Sequence, residues 1–285
     1  MAGEVDALGF ALRRLIRSAV TSRHVDAAVE HLRASAVALE EMVVRPLASL
    51  LADRAVILVP TAPLHGVPWS ALPALAERPT VVASSASLWA RSEATPSGHA
   101  GATTVLVAGP DLPGGEAEVR ELATLHPSAT VLAAGGATAA ALAAAVPATT
   151  LLHVAAHGHF RADNPLFSSL LLADGPLTAN ELEGLRPLPP HVVLAACEVG
   201  QAEVRAGDEL LGLASVLFPA GVRTLVASLA LAPDAATQAL MVAYHRAIAA
   251  GTRPARALSE ARVVARASGP AGEAAAAAFC CFGWG

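Results

Sequence analysis

The stretch TLLHVAAHGHF, residues 150–160, decides the fold class of this chain. It is an apolar run that ends at two histidines on either side of one glycine. A second apolar run, HVVLAACEVG at residues 191–200, stops in the same way at a single cysteine, Cys197. Short apolar runs that end at a polar group are typical of strands buried on both faces of a parallel sheet. The two stretches therefore predict core strands that carry reactive side chains at their ends.

Similar apolar runs, each followed by turn residues, recur along the chain. They are AVILVP (55–60), TVVAS (80–84), TTVLVAG (103–109), ATVLAA (129–134) and RTLVASL (223–229). Helical patterns lie between and after them, at 114–126, 137–146, 178–185, 208–221 and 234–251. Strands that alternate with helices predict an α/β fold with a mostly parallel sheet between helical layers. The segment 168–177 differs, because its Asp174-Gly175 pair predicts a hairpin or tight turn.

The first fifty residues have a helical pattern over 4–52. Apolar residues recur there at steps of three and four and form one stripe: Val25, Val29, Leu32, Ala36, Leu39 and Val43. Pro46 is expected to open a last helical piece, since proline is tolerated in a first turn. The predicted organisation is a helical segment at 1–54 and an α/β domain at 55–285, with a non-catalytic half at 55–130 and a catalytic half at 131–285.

Composition and charge exclude several classes of protein. The net charge of −5 and the pI near 6.0 give no electrostatic footprint for nucleic acid. Apolar stretches are interrupted well before the roughly 20 residues that a membrane-spanning helix needs. Acidic residues precede the apolar part of the N-terminus, which is the wrong order for a signal peptide. We therefore expect a cytoplasmic protein, and its three cysteines are too few for a disulfide framework.

The ends of the two opening runs offer a nucleophile and a base. Ligands of open parallel sheets bind at the carboxyl ends of strands, where His157 and Cys197 are expected. A thiolate beside an imidazole can attack a carbonyl carbon, and the imidazole can protonate the leaving amine. The backbone N–H groups of Gly158 and Cys197 are candidate oxyanion donors. The alternative is that the cysteine fills the core and the histidine is a satisfied buried side chain.

Metal binding is a second interpretation of the two histidines around Gly158. The metallo-hydrolase pattern H-x-H-x-D-H requires an aspartate and a histidine where this chain has Arg161 and Ala162. Asp163 is out of register, and no further ligand cluster accompanies it. No cofactor is predicted, and the nucleotide-binding Walker and G-x-G-x-x-G motifs are missing. The G-x-S-x-G motif of serine hydrolases is missing as well. His153 would lie ~13 Å from His157 along the strand, so it is expected to be buried structure.

Other polar residues are candidates for a substrate pocket. Asp208 and Glu209 open a predicted helix, where they either favour its dipole or bind a basic substrate side chain. His159 and Asp163 follow the catalytic candidate in the loop. We expect loops around 161–176 and 199–207 to gate the site, as such loops often do.

The chain resembles the CHAT domain family, relatives of caspases and separases among the cysteine peptidases, over about residues 25–285. The stretches that carry the resemblance are AVILVPTAPLHGVPWSAL, LLHVAAHGHF, NPLFSSLLLADGPLTANEL, VVLAACEVG, AGDELLGLASVLFPAGVRTLVASL, DAAT and FCCFGWG. The resemblance implies a caspase-like three-layer α/β/α sandwich and a His–Cys dyad, His157 and Cys197, with Gly158 after the histidine. The segment 228–234 departs from the family, since Ala230 replaces a tryptophan and Pro233 an aspartate.

These observations lead to one main hypothesis and two others. The main one is a cysteine endopeptidase of a protein or peptide substrate, regulated by a partner protein in a bacterial signalling or defence pathway. A non-catalytic signalling or scaffold module on the same fold is the alternative, and a metal-dependent hydrolase is the third. Neither nucleic acid nor membrane is an expected partner.

Overall fold

The computed structural model describes the backbone of residues 1–92, 103–159, 161, 164–195, 197–198, 213–230 and 232–285. For Cys197 and Glu198 the description covers the backbone alone. The predicted α/β architecture is confirmed: a helical N-terminal segment precedes a mostly parallel eight-stranded sheet that packs with helices.

The strands form one large sheet and one small one. They are β1 (Val56–Leu58), β2 (Thr80–Val82), β3 (Thr104–Ala108), β4 (Thr130–Leu132), β5 (Leu151–Ala155), β6 (His157–His159), β7 (Ser169–Leu172), β8 (Gly175–Thr178), β9 (His191–Leu194), β10 (Cys197–Glu198), β11 (Thr224–Ser228) and β12 (Phe279–Gly283). The large sheet has the order β1-β2-β12-β11-β9-β5-β3-β4, and the small one has the order β10-β6-β7-β8. All seven predicted strands are present in the large sheet. The eighth, β12, was not predicted, and it pairs antiparallel with β11 and parallel with β2.

The described helices surround this sheet. They are α1 (Ala2–Thr21), α2 (Val25–Val43), α3 (Ala48–Leu51), α4 (Ala86–Ser92), α5 (Pro113–Leu125), α6 (Ala139–Ala145), α7 (Ala179–Glu183), α8 (Asp234–Ala249), α9 (Pro254–Ala267) and α10 (Pro270–Ala278). Residues 213–217 are helical as well. Strands β3, β5 and β9 are buried at every residue, whereas β1 and β4 at the edges are partly exposed. Full burial of the central strands is what two covered faces produce.

Local sequence signals account for several boundaries. At the start of α7, Thr178 accepts from the Glu181 amide, and the Glu181 carboxylate accepts from the Thr178 amide, so the predicted capping box is present. Strands β7 and β8 form the predicted hairpin, in which Leu172 pairs with Gly175. The positive φ of Gly175, 126°, is a conformation that glycine adopts without strain.

The N-terminal segment is helical, as predicted. The helical pattern over 4–52 forms separate helices, with a break after Thr21, where Ser22 and His24 have φ values of 54° and 52°. Left-handed residues end a helix, and the polar run TSRH offers no apolar face to continue it. Pro46 does lie in a first turn, in a 3₁₀ turn that leads into α3.

Helices α1 and α2 pack against each other, and α1 also contacts α10. None of the helices in the described ranges has the length and apolarity needed to cross a bilayer. Strands from both predicted halves of the α/β domain join the large sheet, and the division into 1–54, 55–130 and 131–285 stays a prediction.

Candidate active site

The register of β5 and β9 continues beyond the large sheet. Within it, Leu151 pairs with His191 and Val154 with Leu194. β6 begins two residues after the end of β5, and β10 begins three residues after the end of β9; these two strands are parallel partners in the small sheet. There His157 and Cys197 are Cα partners, with the same separation of 40 residues along the chain (191 − 151 and 197 − 157). Adjacent strands lie about 4.8 Å apart, so these two backbone positions are immediate neighbours.

His157 is oriented by a backbone carbonyl. Its Nε2–H donates to the oxygen of Asp111, with an N···O distance of 2.9 Å. In a neutral imidazole this bond places the proton on Nε2 and leaves the lone pair on Nδ1. The ring is therefore fixed with one nitrogen available as a base.

Asp111 has an unusual backbone conformation. Its φ of 57° lies in the left-handed region, which is uncommon for residues other than glycine and is tolerated by aspartate. Such conformations persist where the surrounding structure demands them, and they cluster at functional sites. The carbonyl of this residue is the one that accepts from His157.

A close approach at Gly109 brings the Asp111 loop to the histidine. The Gly109 amide, just after β3, donates to the oxygen of Ala155, the last residue of β5, at 2.8 Å. A Cβ atom at Gly109 would lie 2.6 Å from the Leu171 oxygen and 2.7 Å from the Ala156 Cβ. Only glycine therefore fits where the loop after β3 crosses the strand that leads to the site.

Sequence reasoning missed Asp111. Its contribution comes from a main-chain oxygen, which carries no residue-specific signal. The available signal was positional, because the turn-rich stretch AGPDLPG follows a core strand whose carboxyl end lies at the same sheet edge.

Gly158 and His159 are consecutive residues of β6, and the first is buried whereas the second is exposed. Gly158 is buried and has Glu198 and Leu170 as its Cα partners on the two neighbouring strands. His159 is exposed and pairs with Ser169. The structure thus places Gly158 beside the His157–Cys197 pair, and its role as an oxyanion donor stays a prediction.

Three candidate pocket residues, Asp163, Asp208 and Glu209, lie outside the described residues, as does the side chain of Cys197. Their predicted roles stay predictions. The same holds for the whole segment 199–207, which was expected to gate the site.

The atypical segment 228–234 begins at the end of β11, beside β9. The Ser228 hydroxyl donates to the Ala230 oxygen at 2.5 Å and accepts from the Ala230 amide at 3.3 Å. Pro233 is the residue that precedes α8. Ala230 and Pro233 therefore follow the carboxyl end of β11, beside the carboxyl end of β9 that leads to Cys197. The Ser228 hydroxyl stabilises the turn at Ala230.

His153 is buried structure, as predicted. It has no exposed surface, and its Nε2 lies 2.8 Å from Oε1 of Glu118 on α5. Among the described residues, no group of three or more His, Cys, Asp or Glu side chains has the geometry of a metal site.

Comparisons with known proteins agree on the fold. The CHAT domain family model matches residues 33–277. Two crystal structures of Saccharomyces cerevisiae separase in complex with securin are similar in fold, at 13% and 15% identity and TM-scores of 0.59 and 0.56. Each match covers 81% of this chain but only 15% or 16% of the separase chain.

Gingipain R, an Arg-specific cysteine proteinase, matches at 14% identity with a TM-score of 0.45, over 64% of this chain and 45% of that chain. Among curated protein sequences none matches. The likeness to separase confirms the caspase-like α/β/α fold that the sequence resemblance implied.

Proposed function

The chain belongs to the CHAT domain family, and on this basis we propose that it is a cysteine endopeptidase with Cys197 as nucleophile and His157 as base. The observation that carries the proposal is the backbone register, in which Cys197 and His157 are Cα partners on adjacent parallel strands. The bond from His157 to the Asp111 carbonyl adds a fixed ring with Nδ1 as its basic nitrogen.

In the proposed reaction, Nδ1 of His157 takes the proton of the Cys197 thiol. The thiolate attacks the scissile carbonyl carbon, and the amides of Gly158 and Cys197 bind the resulting oxyanion. The imidazolium then donates its proton to the leaving amine as the peptide C–N bond breaks. A water molecule, deprotonated by the same imidazole, hydrolyses the thioester and restores the thiol. The Asp111 carbonyl keeps the ring in place throughout.

A regulatory protein partner is a further part of the proposal. The separase that this fold resembles was crystallised with securin, and this chain spans only a small part of that separase. We propose that a partner controls access to the site through the segment 161–176, whose second half forms β7, the turn after it and the start of β8, and through 199–207. If Cys197 of the purified chain alone reacts with a thiol-reactive peptidyl probe, the site does not need a partner to open.

The alternative, a non-catalytic scaffold, is favoured by one observation. Ala230 and Pro233 stand at the same sheet edge as the candidate dyad, where the family pattern has a tryptophan and an aspartate. An edge without those side chains can bind a partner's segment without cleaving it. A peptidase predicts that Cys197 reacts with a thiol-reactive peptidyl probe under some activating condition, whereas a scaffold predicts no reaction under any.

The decisive experiment compares cleavage-site profiles in cell extract. Wild-type protein should produce new peptide termini that Cys197→Ala and His157→Ala both abolish, with losses of more than about 10³-fold. The matched control is Cys281→Ala, because Cys281 is a buried free thiol on β12 and lies outside the His157 register. Cleavage that persists in both dyad variants, or that Cys281→Ala also removes, contradicts the assignment.

A further inference from the structure

Four titratable side chains form one continuous hydrogen-bonded chain, which passes through His153 on β5. Oε1 of Glu118 lies 2.8 Å from Nε2 of His153, and Nδ1 of His153 lies 3.1 Å from Nε2 of His245. Nδ1 of His245 then lies 3.0 Å from Nε2 of His126. His153 and His245 are completely buried, Glu118 is 4% exposed, and His126 at the end of α5 is half-buried. The chain thus runs from the protein interior to the surface.

The order of the atoms fixes how many protons the chain can hold. With Glu118 ionised and every histidine protonated on Nε2, each Nε2–H donates to the next acceptor and all three links are made. Each link holds one hydrogen, and the outer Nδ1 of His126 can hold a fourth. If that proton enters, the links can reverse and place the imidazolium at His153 beside Glu118. A fifth hydrogen would either neutralise Glu118 on its second carboxylate oxygen or set N–H against N–H in one link, which would then break.

The surroundings oppose further charge. Tyr244 on α8 donates or accepts at His191 Nε2 on β9, 2.7 Å away, and its ring lies edge-on to His245. Burial lowers the pKa of His245 well below its usual value, and the nearby histidines His153, His126 and His191 lower it further. Burial, with a smaller effect of Cys281, raises the pKa of Tyr244 well above its usual value. At the rim, Gln238 on α8 donates to Glu121 on α5 at 2.9 Å.

The chain joins the three elements that lead to the candidate site. Helix α5 follows the Asp111 loop, β5 leads into His157, and α8 follows the segment that contains Ala230. We propose that the Glu118–His153–His245–His126 chain is a proton-sensitive brace of the active site. It keeps the Glu118 charge and all its links with one added proton, and with a second it loses either that charge or one link. Acid then weakens the contact of β5 with α5, or of α8 with β5 or α5, and loosens the site. The effect on catalysis rests on the proposed peptidase function, whereas the effect on folding does not.

The test is the pH dependence of unfolding in His245→Gln. The glutamine amide can accept from His126 and donate to His153 but cannot take up a proton. Because the folded protein keeps His245 neutral, unfolding below about pH 6.5 takes up a proton there, which raises the unfolding equilibrium constant by up to about tenfold per pH unit. Urea unfolding between pH 7.5 and 5 should show this slope in the wild type and one proton less in His245→Gln. The matched control, His24→Gln at an exposed histidine, should keep the wild-type slope.

A second variant and a second readout keep the outcomes separate. In His153→Gln the amide can still donate to Glu118 and accept from His245 but cannot take up a proton, so the slope should again fall by one proton. This variant serves if His245→Gln does not fold. If peptidase activity is present, the acid limb of kcat should move to lower pH in these variants, with KM at pH 7.5 unchanged. An unchanged unfolding slope in both variants overturns the brace. A reduced slope in a protein without peptidase activity supports the brace and counts against the proposed function alone.

Discussion

At the scale of single residues, the candidate base is held by a neutral acceptor. A carboxylate at this position would stabilise the imidazolium form of His157, whereas the Asp111 carbonyl orients the ring without adding a full charge. The orientation therefore depends on a backbone conformation, the φ of 57° at Asp111, and not on the chemistry of the aspartate side chain.

This arrangement predicts opposite results for two substitutions of Asp111. Asp111→Gly keeps the carbonyl and relieves the left-handed strain, so kcat/KM for peptide cleavage should stay within about twofold. Asp111→Val places a β-branched residue at positive φ, which costs of order 1–3 kcal/mol and displaces the carbonyl. Its kcat/KM should fall by about ten- to a hundredfold. A loss in Asp111→Gly as large as in Asp111→Val would assign the role to the side chain.

Single residues also mark what the sequence can and cannot reveal. The sequence alone separates the roles of His157 and His153, because four residues of extended chain place them ~13 Å apart. It does not reveal the partners of His153, since Glu118 and His245 are 35 and 92 residues away in the chain and share no motif with it. A hydrogen bond between distant elements depends on how helices pack on the sheet, which a local pattern does not encode.

At the scale of elements, apolar runs identified the strands that are buried on both faces. The starts of β5 and β9 are 40 residues apart in the sequence, and so are His157 and Cys197. A single register therefore pairs the two strands and also the two site residues. Strand β12 escaped prediction for a physical reason. It follows directly on the alanine-rich helix α10, so no turn residues separate the two elements. The end of the helix and the strand are both apolar, so the hydrophobic pattern does not change where the helix ends and the strand begins.

The contact between α9 and β12 contains a buried cation. Arg262 on α9 is 1% exposed, and its Nη2 donates to the Phe279 oxygen at 2.8 Å. Its Nε and Nη1 have no hydrogen-bond partner among the described residues. Burial is the main reason that the pKa of Arg262 is lowered to about 10, although Cys280 and Cys281 oppose this.

We predict that Arg262→Met stabilises the fold. Methionine has a side chain of similar length and avoids the cost of burying a charge that has a single hydrogen-bond acceptor. Replacing buried ionic groups by apolar ones can raise the free energy of unfolding by about 1–4 kcal/mol. The measurement is the free energy of unfolding by urea at pH 7.5. Arg256→Met is the control, since Arg256 is exposed and pairs with Glu260, so it should change stability by less than about 0.5 kcal/mol. A destabilised Arg262→Met protein would contradict this prediction and show that the bond to Phe279 outweighs the cost of burying the charge.

At the scale of the whole molecule, the N-terminal helices are tied to the core of the α/β domain. The family model begins at residue 33, within α2. Helix α1 buries Leu8, Leu12 and Leu15, which are at most 2% exposed, and it packs on α10, which leads directly into β12. Apolar burial of this extent contributes about 1.5–3 kcal/mol for each leucine. We therefore propose that 1–54 and 55–285 unfold together, although the sequence pattern divides them.

Leu12→Ala tests this coupling. A cavity at a buried leucine costs about 2–5 kcal/mol, and if folding is a single transition the whole domain loses that stability. Urea unfolding followed by far-ultraviolet circular dichroism and by tryptophan fluorescence should then shift together to lower urea, because Trp69 is 5% exposed in the core of the domain. Val20→Ala on the same helix, at a side chain that is 67% exposed, should leave both curves in place. An early loss of helix signal in Leu12→Ala with an unchanged fluorescence transition would instead establish 1–54 as a unit that folds separately.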